Sequence, residues 1–349
     1  MHLRVWVAVL FVASVLAAAV VNVRDDSGPV NATRGPLLPS TTLPVPETVP
    51  ETTTTAPAAP EVTQPVTTLP PPPPVSANEA RVLVSPSGVT LAVQGQEPGG
   101  AWKVMTPCGR TTVVNGGTLL PAMHVVLDPG HGGIEPGAVG PTGYKEKELN
   151  LAVAFEAKAA LERAGVSAVL TRTGDYRMTL DARGRFVHTV KPSAFVSVHH
   201  NAEPDGPFPR PGAETYYQVG NAESKRLSGL IYEEVVKALS QYDVAWVADT
   251  DAGAKYRRNV KGDDYYAILR RTQGVTASLA ELGFISNPPE EALYRRPDVQ
   301  RVEGEAVARG ILRFLTTKDP GSGFTEPYPR DSPAGSGGGS SPSCIDPAL

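Results

Sequence analysis

From residue 124 onward the apolar residues fall into two alternating periods. HVVLD (124–128) is a short apolar run ending in an acid, the texture of a buried strand. In KELNLAVAFEAKAALERAG, Leu149, Val153, Ala157 and Leu161 recur every fourth residue until Gly165, which predicts a helix and its stop. VSAVLTR (166–172) reads as the next strand, MTLDARGRFVHTV (178–190) as a helix and SAFVSVHHN (193–201) as a strand. AETYYQV (213–219) is a further strand, followed by a helix over AESKRLSGLIYEEVVKALSQ. VTASLAELGF (275–284) is a buried strand, and a helix from Asp298 to Leu315 closes the pattern. Strands that alternate with helices predict an α/β fold: a mixed, mostly parallel sheet with helices on both faces.

Residues 79–120 have a different texture. Short β-type runs are broken by PSG, EPGG and NGG, which predicts a short β-rich segment of hairpins ahead of the sheet. Some forty residues rarely make an independent core, so the segment is expected to pack as a collar on a larger domain spanning 121–317. The rest of the 349 residues read as non-globular. Residues 1–26 hold an uncharged apolar run from Val5 to Val23, close to the ~20 residues that span a bilayer, which predicts a signal peptide or a membrane anchor and an exported chain. Residues 27–78 are Pro- and Thr-rich and cannot bury enough surface to order, so they read as an extended spacer. Residues 318–349 read as a disordered tail.

Composition adds two points. The net charge of −4 gives no electrostatic reason to expect a nucleic-acid partner. The two cysteines, Cys108 and Cys344, sit at the collar and in the tail; in an exported chain they are either a disulfide or two free thiols.

Ligands on α/β sheets collect at the carboxyl ends of strands. Three unusual polar stretches fall there: DPGHGG (128–133), HHN (199–201) and the neighbourhood of Glu281. Imidazole and carboxylate together suit zinc, and a catalytic zinc takes three protein ligands with one position left for water. The candidates are His131, one of His199 and His200, and an acid from Glu135, Glu146 and Glu148. Glu281 is the only charge in its strand; desolvation there raises a carboxyl pKa and suits a general base.

The ordered set DPGHGG (128–133), GYKEKELNL (143–151), LTRTGD (170–175), SVHHNA (197–202), ETYY (214–217) and LAELGFISN (279–287) resembles the zinc-dependent N-acetylmuramoyl-L-alanine amidases of the amidase_3 type, over residues 123–316. The resemblance implies Zn2+ as cofactor, His131, Glu146 and His199 as its ligands, Glu281 as catalytic acid/base and Arg183 as a structural residue. It implies peptidoglycan as the partner and a cell-envelope location, with membrane contact only through the N-terminal segment; the need for a protein activator is left open. Two positions depart from the family pattern. His200 replaces a small residue and is either a competing ligand or a hydrogen-bond donor behind the ligands, and Asn259 stands where the family has Gly. The competing readings are a zinc peptidase acting on the stem peptide and a catalytically idle wall-binding protein, the latter disfavoured because all four site residues are present. A serine hydrolase using Ser197 lacks a nucleophile elbow.

Overall fold

The computed structural model of the chain describes residues 81–203, 205–325 and 343–349. The expected signal or anchor (1–26) and spacer (27–78) lie outside the described residues, and no described helix is long and apolar enough to cross a membrane. The collar is a five-stranded antiparallel sheet of β1 (Val82–Val84), β2 (Thr90–Gln96), β3 (Trp102–Met105), β4 (Thr111–Val114) and β5 (Thr118–Leu120), ordered β4-β3-β2-β1-β5.

The elements that follow are β6 (Val125–Pro129), α1 (Glu146–Arg163), β7 (Ala168–Leu170), α2 (Leu180–Val190) and β8 (Ala194–Asn201). Next come β9 (Gly206–Pro207), β10 (Glu214–Tyr217), α3 (Ala222–Leu239), β11 (Val247–Ala248) and β12 (Ala254–Lys255). The chain continues through α4 (Ala267–Arg271), β13 (Ala277–Phe284), α5 (Pro288–Tyr294) and α6 (Pro297–Thr316). The central sheet is ordered β12-β10-β13-β8-β6-β7. β7, β6, β8 and β13 are parallel, β10 runs antiparallel to β13, and β12 follows β10, so the sheet is mixed and mostly parallel as its pattern predicts.

The two faces of each strand feed two cores, as a side-chain period of two requires. Val125, Leu127, Val196 and Val198 join Leu149, Val153, Leu161, Ile231, Val235, Val307 and Ile311 from α1, α3 and α6. On the opposite face, Val126, Val169, Phe195 and Leu279 meet Phe186 and Val187 of α2 and Leu269 of α4. Val82, Ala92 and Met105 of the collar belong to that second core, so the collar packs as a layer over the α2 face. The helix ends follow local chemistry. Thr179 caps α2 by accepting from Ala182 N, and Gly165, at φ 80°, takes the left-handed turn after α1.

The tail makes contacts that its loop-like composition does not announce. Ala254 N donates to Gly323 O, and Phe324 lies under Lys225 on α3. Cys344 is disulfide-bonded to Cys108. The Asp346 carboxylate accepts from Cys108 N and from Arg110, and Leu349 packs on the collar core of Leu83, Leu91 and Val104. A two-residue strand and short helices such as β12, α4 and α5 are too brief for periodicity to reveal.

Candidate metal centre

Because β6, β8 and β13 are parallel, their carboxyl ends share one edge of the sheet. Asp128 stands opposite Ser197, and Glu281 opposite His199. The loop after β6 is shaped by buried charge. Asp128 accepts hydrogen bonds from Thr171, Ser197 and Arg183. Burial would raise the Asp128 carboxyl pKa, but the Arg183 charge and those hydrogen bonds hold it below its ordinary value. Arg183 also donates to Pro129 O and His131 O. Arg172 donates to Pro129 O, Gly130 O and Lys147 O. The carbonyls of the loop therefore turn inward, and His131 is held at φ 61°, a left-handed conformation costly for a residue with a Cβ. Gly132 and Gly133 press on the next loop, where a Cβ would fall 2.3 Å from Tyr176 O and 2.7 Å from Arg177 N.

Glu146 is the first residue of α1, where the helix dipole favours a negative charge. Its Oε2 accepts from Ala138 N at 2.7 Å and lies 3.1 Å from His131 Nε2. Its Oε1 lies 2.9 Å from His199 Nδ1. The two imidazole rings meet edge to face with centroids 4.9 Å apart. One ligand atom from each of His131, Glu146 and His199 falls within 4.8 Å of the others. Burial raises the Glu146 carboxyl, yet the hydrogen bonds and charge of His131 and His199 hold it well below the carboxylate range. Burial pushes the His199 pKa down against the pull of Glu146, which favours the neutral imidazole that offers a lone pair.

The other candidate acids are engaged elsewhere. Glu135 pairs with Arg177 at 2.8 Å, and Glu148 is half exposed near Lys145. His200, next to His199 on β8, does not join the cluster. Its ring is buried between Asn150 and Glu303. Asn259 needs no left-handed backbone; its side chain accepts from Lys261 N and Asp263 N and closes a tight turn.

Glu281 lies on β13 between β8 and β10, in register with His199 on one side and Glu214 on the other. Its Oε2 is buried with no hydrogen-bond partner among the described residues. Burial, then the Glu146 and Glu214 charges, raise its pKa well above the ordinary carboxyl value. A second acidic group, Glu214, Asp249 and Asp251, lies nearby. The buried Lys255 ammonium sits 3.1 Å from Glu214 and 2.9 Å from Asp251, so a cation of the chain itself already occupies that cluster. Asp128, Arg172, Asn150, Glu214, Lys255 and Glu303 were not singled out by sequence reasoning. The only signal available was their position in or beside the polar stretches at strand ends, with nothing to show which distant group each meets.

Residues 125–313, more than half of the chain, match the family described as amidase_3, N-acetylmuramoyl-L-alanine amidase. The chain belongs to the amidase_3 family. The germination-specific N-acetylmuramoyl-L-alanine amidase of Bacillus subtilis is 29% identical over 56% of this chain and 80% of its own length. The endolysin of Bacillus phage SPP1 is 33% identical over 60% of this chain and 72% of its own. Among solved structures, the catalytic domain of CwlV, an N-acetylmuramoyl-L-alanine amidase from Bacillus (Paenibacillus) polymyxa var. colistinus, is 31% identical over 56% of this chain and 98% of that one, with a TM-score of 0.46. The amidase_3 match starts at the first residue of β6 and ends within α6, so it contains every residue of the metal cluster and Glu281 but leaves out the collar and the tail.

Proposed function

We propose that this chain hydrolyses the amide between the lactyl group of N-acetylmuramic acid and L-alanine in peptidoglycan, with a zinc ion held by His131, Glu146 and His199. The observation that carries the reading is the convergence of those three donor sets at the carboxyl edge of the sheet, within an amidase_3 domain. The donor chemistry fits the metal: two imidazoles and one carboxylate give three ligands, the number that leaves a catalytic zinc one open position. When bound, zinc supplies a Lewis acid for the scissile carbonyl and lowers the pKa of water it holds.

The residues of the chain supply the rest. The Asp128–Arg183 pair and Arg172 hold the His131 loop in place. Glu146 is fixed at a helix N-terminus by Ala138 N–H. Glu281 is the proton carrier: its carboxylate takes a proton from the attacking water as the C–O bond forms, then passes it to the leaving amine as the C–N bond breaks. A raised pKa suits that return, because the protonated form must survive until the amine leaves. The wall-side location follows from the reading of residues 1–26 as an export segment and 27–78 as a spacer, with the collar as a buttress whose inner face joins the core under α2.

The test is release of new amino-terminal L-alanine from purified peptidoglycan by the full chain, with and without a zinc chelator. Release that chelation abolishes and added zinc restores is the expected result. Zinc-loaded protein that frees no L-alanine but cleaves within the stem peptide would favour the peptidase reading. Zinc-loaded protein that binds peptidoglycan and cleaves nothing would favour the idle one.

A further inference from the structure

We propose that Glu303, His200 and Asn150 form a buried chain of hydrogen bonds whose task is to fix the Glu146 carboxylate as a metal ligand. The inference rests on the zinc reading of the site. His200 and Asn150 are positioning residues in it and touch neither metal nor substrate.

The directions of the bonds follow from which groups can only accept. Asn150 Nδ2 lies 3.0 Å from Glu146 Oε1 and 3.4 Å from Gly130 O. Both are acceptors, so the amide nitrogen must face them and donate. Asn150 Oδ1 then faces His200, whose Nδ1 is 2.8 Å away and must be the protonated nitrogen. His200 Nε2 lies 3.3 Å from Glu303 Oε1 on α6. Because Nδ1 already carries a proton, this bond takes one further proton between ring and carboxyl, either on Nε2 donating to the carboxylate or on the carboxyl donating to Nε2, and it pins the far side of the ring. The His200 main-chain N–H also donates to Glu146 Oε1, at 3.2 Å. Two N–H donors thus converge on one carboxylate oxygen from inside the protein, while Ala138 N–H holds the other.

Burial gives the chain its leverage. Asn150, His200 and Glu303 are all 1% exposed or less, so none of these bonds is exchanged with water. Asn150 and Glu146 are one turn apart on α1, His200 is on β8 and Glu303 is on α6, so three elements are tied to one carboxylate. Groups behind metal ligands orient them, and their loss costs ~10–100-fold in metal affinity. A small residue at position 200, the usual family pattern, leaves Asn150 Oδ1 without this donor.

The experiment is zinc affinity of the full chain, measured by competition with a chromogenic chelator. His200→Phe keeps a ring against Tyr294, whose centroid is 5.2 Å away, and removes the two side-chain hydrogen bonds while the main-chain N–H to Glu146 stays. Asn150→Asp keeps the side-chain shape and replaces the donor with an oxygen facing Glu146, so it holds the test open should the first variant not fold. Each is expected to weaken zinc binding by ~10–100-fold. Asn150→Ala combined with His200→Phe is expected to cost no more than Asn150→Ala alone, because the histidine acts through the amide. Either folded single variant binding zinc within about twofold of the parent overturns the chain, as does full additivity in the double variant. A parent protein that binds no zinc overturns the metal reading itself, an outcome distinct from these.

Discussion

Adding one methyl group at Gly130 is the sharpest test of how the metal loop is built. A Cβ at this position would lie 2.1 Å from His199 Cε1, 2.2 Å from Nε2 and 2.6 Å from Nδ1. Gly130 does not need the backbone freedom of glycine, since its φ is outside the left-handed region. The space for the His199 ring is the whole reason for glycine here. Ordinary contact begins at 3.4 Å, so the imidazole or the loop must move by about 1.3 Å. If the ring moves, a ligand leaves Glu146. If the loop moves, the Arg172 bond to Gly130 O stretches and His131 shifts with it. Misplacement of about 1 Å costs on the order of 100-fold in rate, or ~2.7 kcal/mol of barrier. Overpacking also costs ~1–3 kcal/mol of stability. Gly130→Ala is therefore expected to lower kcat/KM on peptidoglycan about 100-fold and to weaken zinc binding in parallel. The control is Gly95→Ala on β2, where a Cβ meets nothing within 4 Å, and both quantities should match the parent. A folded Gly130→Ala with activity within about tenfold of the parent would show that His199 is not held where the ligand set requires it.

Three further outcomes are expected. Glu281→Gln should lower kcat by ~10²–10⁴-fold while leaving bound zinc unchanged, and loss of zinc in that variant would assign Glu281 to the ligand set instead. The Cys108–Cys344 disulfide closes a loop of 236 residues, for which chain entropy predicts ~5.5 kcal/mol and experience ~2–5 kcal/mol, so Cys344→Ser should unfold at lower denaturant than the parent, and reductant should bring the parent down to the variant's midpoint; a variant midpoint equal to that of the oxidised parent would refute the bond's contribution. Asp128→Asn leaves Arg183 buried without its carboxylate and should cost ~3–5 kcal/mol at pH 7. The Asp128 pKa is depressed below its ordinary 3.8, so its stabilisation is complete above that value and lost as pH falls through the lower, folded one. The gap between parent and Asp128→Asn should stay constant from pH 7 down to about 4 and close only below it; closure above pH 5 would mean that Arg183 does not hold Asp128 ionised.

Much of the sheet was legible because the strands are buried and the helices amphipathic. The pattern of residues 124–128, 166–172, 193–201 and 275–284 names the four parallel strands, and the fourfold spacing of Leu149, Val153, Ala157 and Leu161 names α1. The direction of β10 was not legible, since ETYY reads alike in a parallel or antiparallel neighbour. The candidate site was legible as residue types at strand ends, but not as a set. Glu135, Glu146 and Glu148 are equivalent acids to a reader of the chain, and only resemblance to the amidases distinguishes Glu146. The structure separates them by burial and partner: Glu135 faces Arg177, Glu148 faces solvent, and Glu146 faces both histidines. His199 and His200 separate in the same way, because adjacent strand residues leave opposite faces.

The parts that stayed hidden share one physical cause: they are satisfactions of buried charge over long sequence distances. Arg172 is about 1% exposed, and its ring of acceptors is made of carbonyls, those of Pro129, Gly130, Lys147 and Gly174. Burial, then repulsion from Arg183, lowers its pKa to about 10, which leaves the guanidinium charged at neutral pH. A buried charge must find oxygen, and here two of the four carbonyls it finds belong to the DPGHGG loop. The loop adopts its inward-carbonyl shape because two arginines from β7's end and α2 require it, and that shape forces His131 into the left-handed region with its ring directed at Glu146. A histidine on nearly bare backbone therefore carries two demands at once. The glycine before it makes room for His199, and the arginines behind it fix its main chain. Either demand alone is met by many loops, and only their coincidence places three donor groups on one point.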